Sequence, residues 1–268
     1  MDLAGDRRRA ADFFSRSYGW DVLAARGVWA LGPSAAAGAN ALLDDTLPGE
    51  TDKARLGTVR ESLVQGFQWG CREGPLCDEP MRGVRFRLLA AEVAGEGVAR
   101  GGGQVIPTAR RLAYSSFLTA APRLMEPVYA VEVLCPGEVS RAVADLLAAR
   151  RGNVVSEAPR PGTFFTLIRG YLPVMDSFGF ETELRVATQG LAFPLQSFDH
   201  WSVVPGDPLD KSVVLRPLEA SPQHALARDF MVKTRRRKGL PEDVVPTRFF
   251  DQELLLELLR QEEEGRAL

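Results

Sequence analysis

The stretch YAVEVLCPGEVSRAVADLLAARR, from Tyr129 to Arg151, joins two different hydrophobic patterns. Its first residues, Tyr129–Leu134, have the composition and alternation of a β-strand. The residues from Glu138 to Arg151 instead carry apolar side chains at helical spacing. The inward positions of this helix are Val139, Val143, Leu146 and Leu147. The stretch therefore predicts a strand followed directly by a helix.

The same alternation of element types continues toward the C-terminal side. Gly152 opens a second predicted strand, and Phe164–Leu172 forms a third. A second helix is predicted over Asp176–Thr188, and Leu191–Val204 is the last strand. The order β-α-β-β-α-β is that of a ferredoxin-like split βαβ sandwich. We therefore expect an α+β protein with a ferredoxin-like domain over residues 122–206.

Residues 1–121 predict a second region of mixed helices and strands. Pro107 is expected at the start of its last helix, after a loop rich in glycine. The predicted elements are a helix over Asp6–Ser17, strands from Val28 and over Ala41–Leu43, a helix over Asp52–Gln68, a strand over Gly83–Val93, the loop Gly95–Gln104 and a helix over Thr108–Ala120.

Residues 207–268 predict a helical extension. After a connector, Ser221–Lys238 has the pattern of a long helix, with Ser221 as its cap and Pro222 in its first turn. Phe249–Arg260 is apolar at helical spacing, and an acidic tail follows.

Composition and charge exclude several classes of protein. Hydrophobic residues make up 45% of the chain, charged residues 25%, and the net charge is −2. Any nucleic-acid contact must therefore come from local patches. No apolar run approaches the roughly 18 residues that span a bilayer, and the N-terminal residues are not those of a secretory signal. We expect an intracellular protein with no membrane contact.

No catalytic or metal-binding constellation is visible in the sequence. The three cysteines and two histidines do not have the spacing of a zinc site, and their number argues against a disulfide framework. Neither histidine suggests a nucleophilic triad. The pair Asp44 and Asp45 is more typical of a solvated turn than of general acid/base catalysis.

Nucleotide-binding chemistry is also missing. A P-loop requires a Gly-Lys dipeptide so that amides and an ammonium group surround the phosphates. This dipeptide does not occur in the chain. DSFG (Asp176–Gly179) matches a short GTPase pattern, but without a P-loop we expect it to cap the second helix of the ferredoxin-like domain.

Several longer motifs are specific. They include SLVQGFQWG from Ser62, REGPLCDE from Arg72, RGGGQVIPTARR from Arg100, DSFGFETELR from Asp176 and PGDPLDK from Pro205. Together, and in this order, they closely resemble domains IV and V of translation elongation factor 2 and of its spliceosomal paralogue, the GTPase of the U5 small nuclear ribonucleoprotein. The resemblance covers essentially the whole chain.

Two features favour the spliceosomal branch. Elongation factor 2 carries a histidine, the site of diphthamide, immediately before RGGGQ, and this chain has Ala99 there. The long segment after Asp207, with the basic run near Arg235, is similar to the U5 protein. Alternatives are a fragment of elongation factor 2 acting in ribosomal translocation, or of a ribosome-assembly GTPase.

The resemblance implies a fold, partners and a place in the cell. Residues 1–121 would form a ribosomal protein S5 domain 2-like domain that is incomplete at its start. GTP and magnesium would belong only to a G domain outside this chain, so no cofactor is expected here and the chain is not itself an enzyme. The implied role is regulation of spliceosome activation and disassembly in the nucleus. The partners would be a large U5 scaffold protein, a spliceosomal RNA helicase and U5 snRNA.

Two basic segments are candidate contacts for RNA or partners. The first combines the glycine-rich loop with nearby arginines and comprises Arg100, Gly101, Gly102, Gly103, Gln104, Arg110 and Arg111. In the family this loop projects from the tip of domain IV toward RNA, whereas a flexible hairpin without a ligand is the structural alternative. The second is the run Arg235, Arg236, Arg237 and Lys238. It fits helix-end charge first, a partner contact second, and a nuclear localisation patch third.

Aromatic residues offer a further choice between core and contact. Phe198, His200 and Trp201 lie near the end of the last predicted strand, and Phe67 and Trp69 lie on a predicted helix. Base stacking is one interpretation. Because aromatic side chains are more often buried, we predict that these residues belong to cores.

Overall fold

The computed structural model describes residues 7–34, 38–216, 219–250 and 256. Within them the chain forms two compact units. Unit 1 contains the described residues up to Pro122 together with those from Met231 onward, and unit 2 is Arg123–Phe230. No helix among the described residues is long and apolar enough to cross a membrane.

Unit 1 is built on a three-stranded mixed sheet. Its elements are α1 (Arg7–Tyr18), α2 (Val22–Arg26), β1 (Val28–Gly32), β2 (Asn40–Asp44), α3 (Lys53–Arg72), β3 (Arg85–Leu88) and α4 (Gly102–Thr119). The strand order is β1-β2-β3, with β1 antiparallel and β3 parallel to β2. Aspartates cap two helices: Asp21 accepts from the first amides of α2, and Asp52 from those of α3.

Helices cover both faces of this sheet. Leu31, Ala41 and Leu43 face α1 and α2 and form one core with residues such as Phe14. Ala30 faces the opposite way and packs in a second core, whose other members are Phe67, Cys71, Met81 and Tyr114. This two-sided packing follows from the alternation of side chains along each strand.

The two long helices of unit 1, α3 and α4, approach each other closely through small residues. A Cβ atom on Gly66 would lie 2.6 Å from the carbonyl oxygen of Ile106 and 2.7 Å from the Cβ of Ala109. Further along, Gly70 faces Ala113. The sequence QGFQWG therefore fixes how near the two helices pack.

Unit 2 contains a four-stranded antiparallel sheet. Its elements are β4 (Met125–Pro136), α5 (Ser140–Ala149), β5 (Asn153–Pro159), β6 (Phe165–Pro173), α6 (Val174–Ser177), α7 (Phe180–Ala187) and β7 (Phe193–Val203). The strand order is β5-β6-β4-β7. Helices α5 and α7 pack on one face, where Val143, Leu147, Phe180 and Leu184 meet Val131, Val133, Ile168 and Leu172.

Helix α8 (Leu226–Arg237) begins in unit 2 and ends in unit 1. It starts later than the predicted Ser221 because a short 3-10 turn, Gln223–Ala225, precedes it and has no side-chain cap. Pro246–Phe249 is another 3-10 turn. The predicted helix Phe249–Arg260 otherwise lies outside the described residues, except for positions 250 and 256.

Three further predicted elements differ from the structure. The strand predicted over Gly83–Val93 is only Arg85–Leu88, because its partner β2 ends at Asp44. The helix predicted over Asp176–Thr188 is divided into α6 and α7 by Gly179, whose φ is 78°. Asp176 does not cap α7 and binds Arg151 instead.

The third difference concerns the glycine-rich loop. The structure has a 3-10 turn over Val98–Arg100, and α4 starts at Gly102 rather than near Pro107. Pro107 lies inside the helix, where it lacks the amide that would bind the carbonyl of Gly103. Packing against α3 overrides this local preference, because Gly66 of α3 meets the backbone of Ile106.

Candidate nucleic-acid interface

The predicted contact residues Gly102, Gly103 and Gln104 form the first turn of α4. Gly101 is the N-cap residue and offers no side-chain cap, while its carbonyl accepts from the amides of Gln104 and Val105 at 3.0 and 3.1 Å. The amides of Gly102 and Gly103 precede the first intrahelical bond, so the helix itself leaves them unsatisfied. This end of α4 therefore presents amide donors and the positive end of the helix dipole.

Several glycines at this end have no steric reason to be glycine among the residues that the structure describes. Gly95, Gly97 and Gly103 do not adopt positive φ. A Cβ atom at any of the three would meet nothing within 4 Å. In a helix, glycine costs about 0.5–1 kcal/mol relative to alanine. Because Gly103 has no side chain, a group of another molecule can approach its backbone closely.

The arginines predicted with this loop have different roles. Arg100 folds back, donating from Nη2 to the carbonyl of Gly95 at 3.2 Å. Arg110 instead anchors α4 to α3: its guanidinium lies 4.0 Å from the ring centre of Trp69 and 3.2 Å from a carboxylate oxygen of Glu73. The next residue, Arg111, is exposed. Eight residues of helix, about 12 Å, separate Arg110 from Gly102, so only Arg100 lies with the glycines.

The basic run at the end of α8 is divided in the same way. Arg235 is 7% exposed, and its guanidinium donates to the carbonyls of Leu76, Pro75 and Pro241. The candidate run thus loses Arg235 as a phosphate contact, because its donors already hold buried carbonyls. The other three residues of the run, Arg236, Arg237 and Lys238, are exposed.

The three exposed cations of the run also differ. Arg236 pairs with Glu242 at 2.7 Å, and Lys238 donates to the carbonyl of Asp78 at 3.0 Å and to the carboxylate of Glu79. Arg237 is exposed. Arg235, Arg236 and Arg237 lie in the last turn of α8 and Lys238 follows it, where the negative end of the helix dipole favours cations.

The prediction that the aromatic residues are buried is wrong for most of them. Phe198 is 55% and Trp201 38% exposed, and His200 is exposed as well. Trp69 is 41% exposed on one side and covered by Arg110 on the other. Phe67 is buried as predicted. Amino-acid type alone did not reveal that β7 lies at the edge of its sheet.

The thiols are shielded. All three cysteines are free and buried. Burial raises the pKa of Cys71 to about 12 and that of Cys77 to about 11, the latter despite the nearby cations Arg235 and Lys238. Across the described ranges, no group of three His, Cys, Asp or Glu side chains could hold a metal ion.

Comparison with known proteins matches two consecutive parts of the chain to models of elongation factor G domains. The family described as elongation factor G, domain IV, matches residues 3–121, and elongation factor G C-terminus matches residues 123–212. A U5 small nuclear ribonucleoprotein component of 110 kDa from Arabidopsis thaliana, CLO, is 57% identical over 97% of the chain.

The chain belongs to the elongation factor G-like family. A second Arabidopsis protein, the 109 kDa U5 component GFL, is also 57% identical over 97% of the chain. The pre-mRNA-splicing factor cwf10 of Schizosaccharomyces pombe is 57% identical over 95%. The chain spans only 26–27% of the length of these relatives.

Proposed function

We propose that this chain is a C-terminal RNA- and protein-interaction part of a U5 small nuclear ribonucleoprotein GTPase. In this role it helps to regulate spliceosome activation and disassembly in the nucleus. The observation that carries the proposal is the 57% identity, over 97% of the chain, with a protein named as a U5 component.

The proposal includes a domain division. Residues 1–121 form a ribosomal protein S5 domain 2-like domain, and residues 122–206 form a ferredoxin-like domain. Residues 207–268 are a helical extension. The strand order β5-β6-β4-β7, with both helices on one face, supports the ferredoxin-like assignment.

We further propose that the chain does not bind GTP and is not itself an enzyme. Its lack of a Gly-Lys dipeptide supports this, since the ammonium group and the amides of a P-loop bind the nucleotide phosphates. GTP and magnesium then belong to a G domain elsewhere in the full-length protein. Isothermal calorimetry of the isolated chain with GTP and Mg²⁺ should give no heat of binding, and micromolar affinity would contradict the domain assignment.

The first turn of α4 is the proposed RNA contact. Its amides, the guanidinium of Arg100 and the bare backbone of Gly103 provide the donors and the space that a phosphate needs. Gly103→Asp places a carboxylate in this space and should weaken cross-linking of the chain to RNA about tenfold or more, by repulsion of the phosphate. Gly57→Asp is the matched control, because a Cβ atom there also meets nothing within 4 Å.

The proposed partners are the large U5 scaffold protein, a spliceosomal RNA helicase and U5 snRNA. A tagged chain should recover these from nuclear extract under conditions that leave ribosomes behind. Recovery with ribosomes would favour a fragment of elongation factor 2, and recovery with immature large subunits a ribosome-assembly GTPase. Either result would replace the spliceosomal proposal.

A further inference from the structure

The last strand of unit 2, β7, keeps large apolar side chains exposed along its whole length. Phe193 and Leu195 are each 65% exposed, Phe198 is 55%, Val203 is 53% and Trp201 is 38%. So many large apolar side chains exposed on one strand indicate a surface that another molecule covers.

These side chains lie on both faces of the strand. Phe193 and Leu195 stand opposite Leu134 and Glu132 of β4, on the face away from α5 and α7. Phe198 stands opposite Tyr129, which packs against the core beneath those helices. The alternation changes after Phe198 because Asp199 is an extra residue in the pairing with β4. A single flat ligand could therefore cover only part of the apolar surface.

The backbone of β7 is available as well. Within the described strands of the sheet, β7 pairs with β4 only, so its other side is a free edge. Edge strands in soluble proteins usually carry charges that prevent association. The only charged or titratable side chains of β7 are Asp199 and His200, whose side chains contact each other at 2.6 Å.

The charges near the exposed apolar side chains of β7 do not suit a polynucleotide. On the outer face, Arg169 is joined to Glu132 at 2.8 Å. Nucleic-acid binding depends mainly on cations that neutralise phosphates. Apolar area, a free backbone edge and mutually paired charges instead match the chemistry of an extended apolar peptide.

We propose that the free edge of β7 binds an extended, apolar segment of a partner protein, which adds a strand to the sheet. Backbone hydrogen bonds to β7 hold the segment, and its alternating side chains pack against Phe193 and Leu195 on one face and Phe198 on the other. This inference deepens the proposed function, on which it rests for the existence of a protein partner.

Photo-cross-linking tests the inference in the assembled ribonucleoprotein particle. The photoreactive residue p-benzoylphenylalanine replaces Phe193 in one variant and Phe198 in another. Both should cross-link to one short stretch of one protein, at positions whose side chains alternate between faces. Cross-links to RNA, to a second copy of the chain or to widely separated protein sites, or the absence of any cross-link, would overturn the inference.

A substitution provides the quantitative test, with the cross-linked stretch synthesised as a peptide. Leu195→Glu should weaken binding of the peptide to the chain about tenfold or more, since it buries a charge against apolar groups. Val186→Glu is the control, because Val186 is 77% exposed and lies on α7 rather than on β7. Circular dichroism checks that both variants fold. Equal affinity of Leu195→Glu and the parent chain would contradict the inference.

The two proposals fail in different ways. If the parent chain does not recover U5 components at all, the proposed function is wrong. If it recovers them and the cross-links from β7 reach no extended protein segment, only the inference about β7 is wrong.

Discussion

Arg151 binds the buried carboxylate of Glu126 through two parallel hydrogen bonds, Nη1 to Oε1 and Nη2 to Oε2, each 2.9 Å long. The side chain of Glu126 is 5% exposed and that of Arg151 18%. Arg151 also binds Asp176, and its backbone has a φ of 58°, which is uncommon for a residue with a side chain. One arginine thus ties the end of α5 to β4 and α6.

Arg151→Ala should lower the free energy of unfolding of unit 2 by about 3–5 kcal/mol, because it leaves Glu126 buried without its partner. Chemical denaturation monitored by circular dichroism measures this. Arg169→Ala is the control, since Arg169 and Glu132 are 59% and 43% exposed and such pairs contribute about 1 kcal/mol or less. Equal losses of unfolding free energy in the two variants would contradict the larger contribution of the buried Arg151–Glu126 pair.

Gly66→Ala should destabilise unit 1 by about 1–3 kcal/mol, because the new methyl group has backbone of α4 at 2.6 Å and must push the helices apart. Gly57→Ala in the same helix should instead be neutral or stabilise by about 0.5–1 kcal/mol, since its methyl group meets nothing within 4 Å. Thermal unfolding of both variants checks the opposite signs. A stable Gly66→Ala variant would contradict the close approach of α3 and α4.

Arg235→Ala should cost about 2–3 kcal/mol of stability, because the carbonyls of Leu76, Pro75 and Pro241 lose a charged donor in a buried place. Arg237→Ala should change stability by less than about 0.5 kcal/mol, as expected for an exposed side chain. Urea denaturation distinguishes the two. Equal losses of stability in the two variants would contradict the anchoring role of Arg235. The whole basic run would then be solvated charge at the end of the helix.

Asp44 should make stability fall in acid. Burial alone would raise the pKa of Asp44, but its bonds with Lys53 and Thr46 outweigh burial and lower it below the ordinary 3.8. A lowered pKa contributes stability that is complete above the ordinary value and lost as the pH falls through the folded-state value. Urea midpoints between pH 7 and pH 3 should therefore decrease less for Asp44→Asn than for the parent chain. Parallel pH profiles would contradict this assignment.

Element types in unit 2 were predictable because short segments carry clear periodicities. The strand predicted at Tyr129–Leu134 and the helix predicted at Glu138–Arg151 both exist, with ends that differ by a few residues. The start of α4 was not predictable, because Pro107 locally argues for a later start and only contact with α3 stabilises the earlier turns.

The candidate residues were predicted as groups, but their members separate in space. Arg100 and Arg110 are ten positions apart, and only the second is held by Trp69 and Glu73. Arg235 and Arg237 are two positions apart, yet one is buried and the other exposed. Charge type is a property of the sequence, whereas burial depends on which side of a helix meets the rest of the chain.

The sequence by itself determined the family, the α+β element order and the absence of a Gly-Lys phosphate loop, because motifs and periodicities are local. Only the tertiary structure decided which charges are anchored, how Glu126 is satisfied, and that β7 lies at a sheet edge with Phe193, Leu195 and Phe198 exposed. The physical reason is that burial and strand order depend on contacts between residues distant in the chain, which no local pattern encodes.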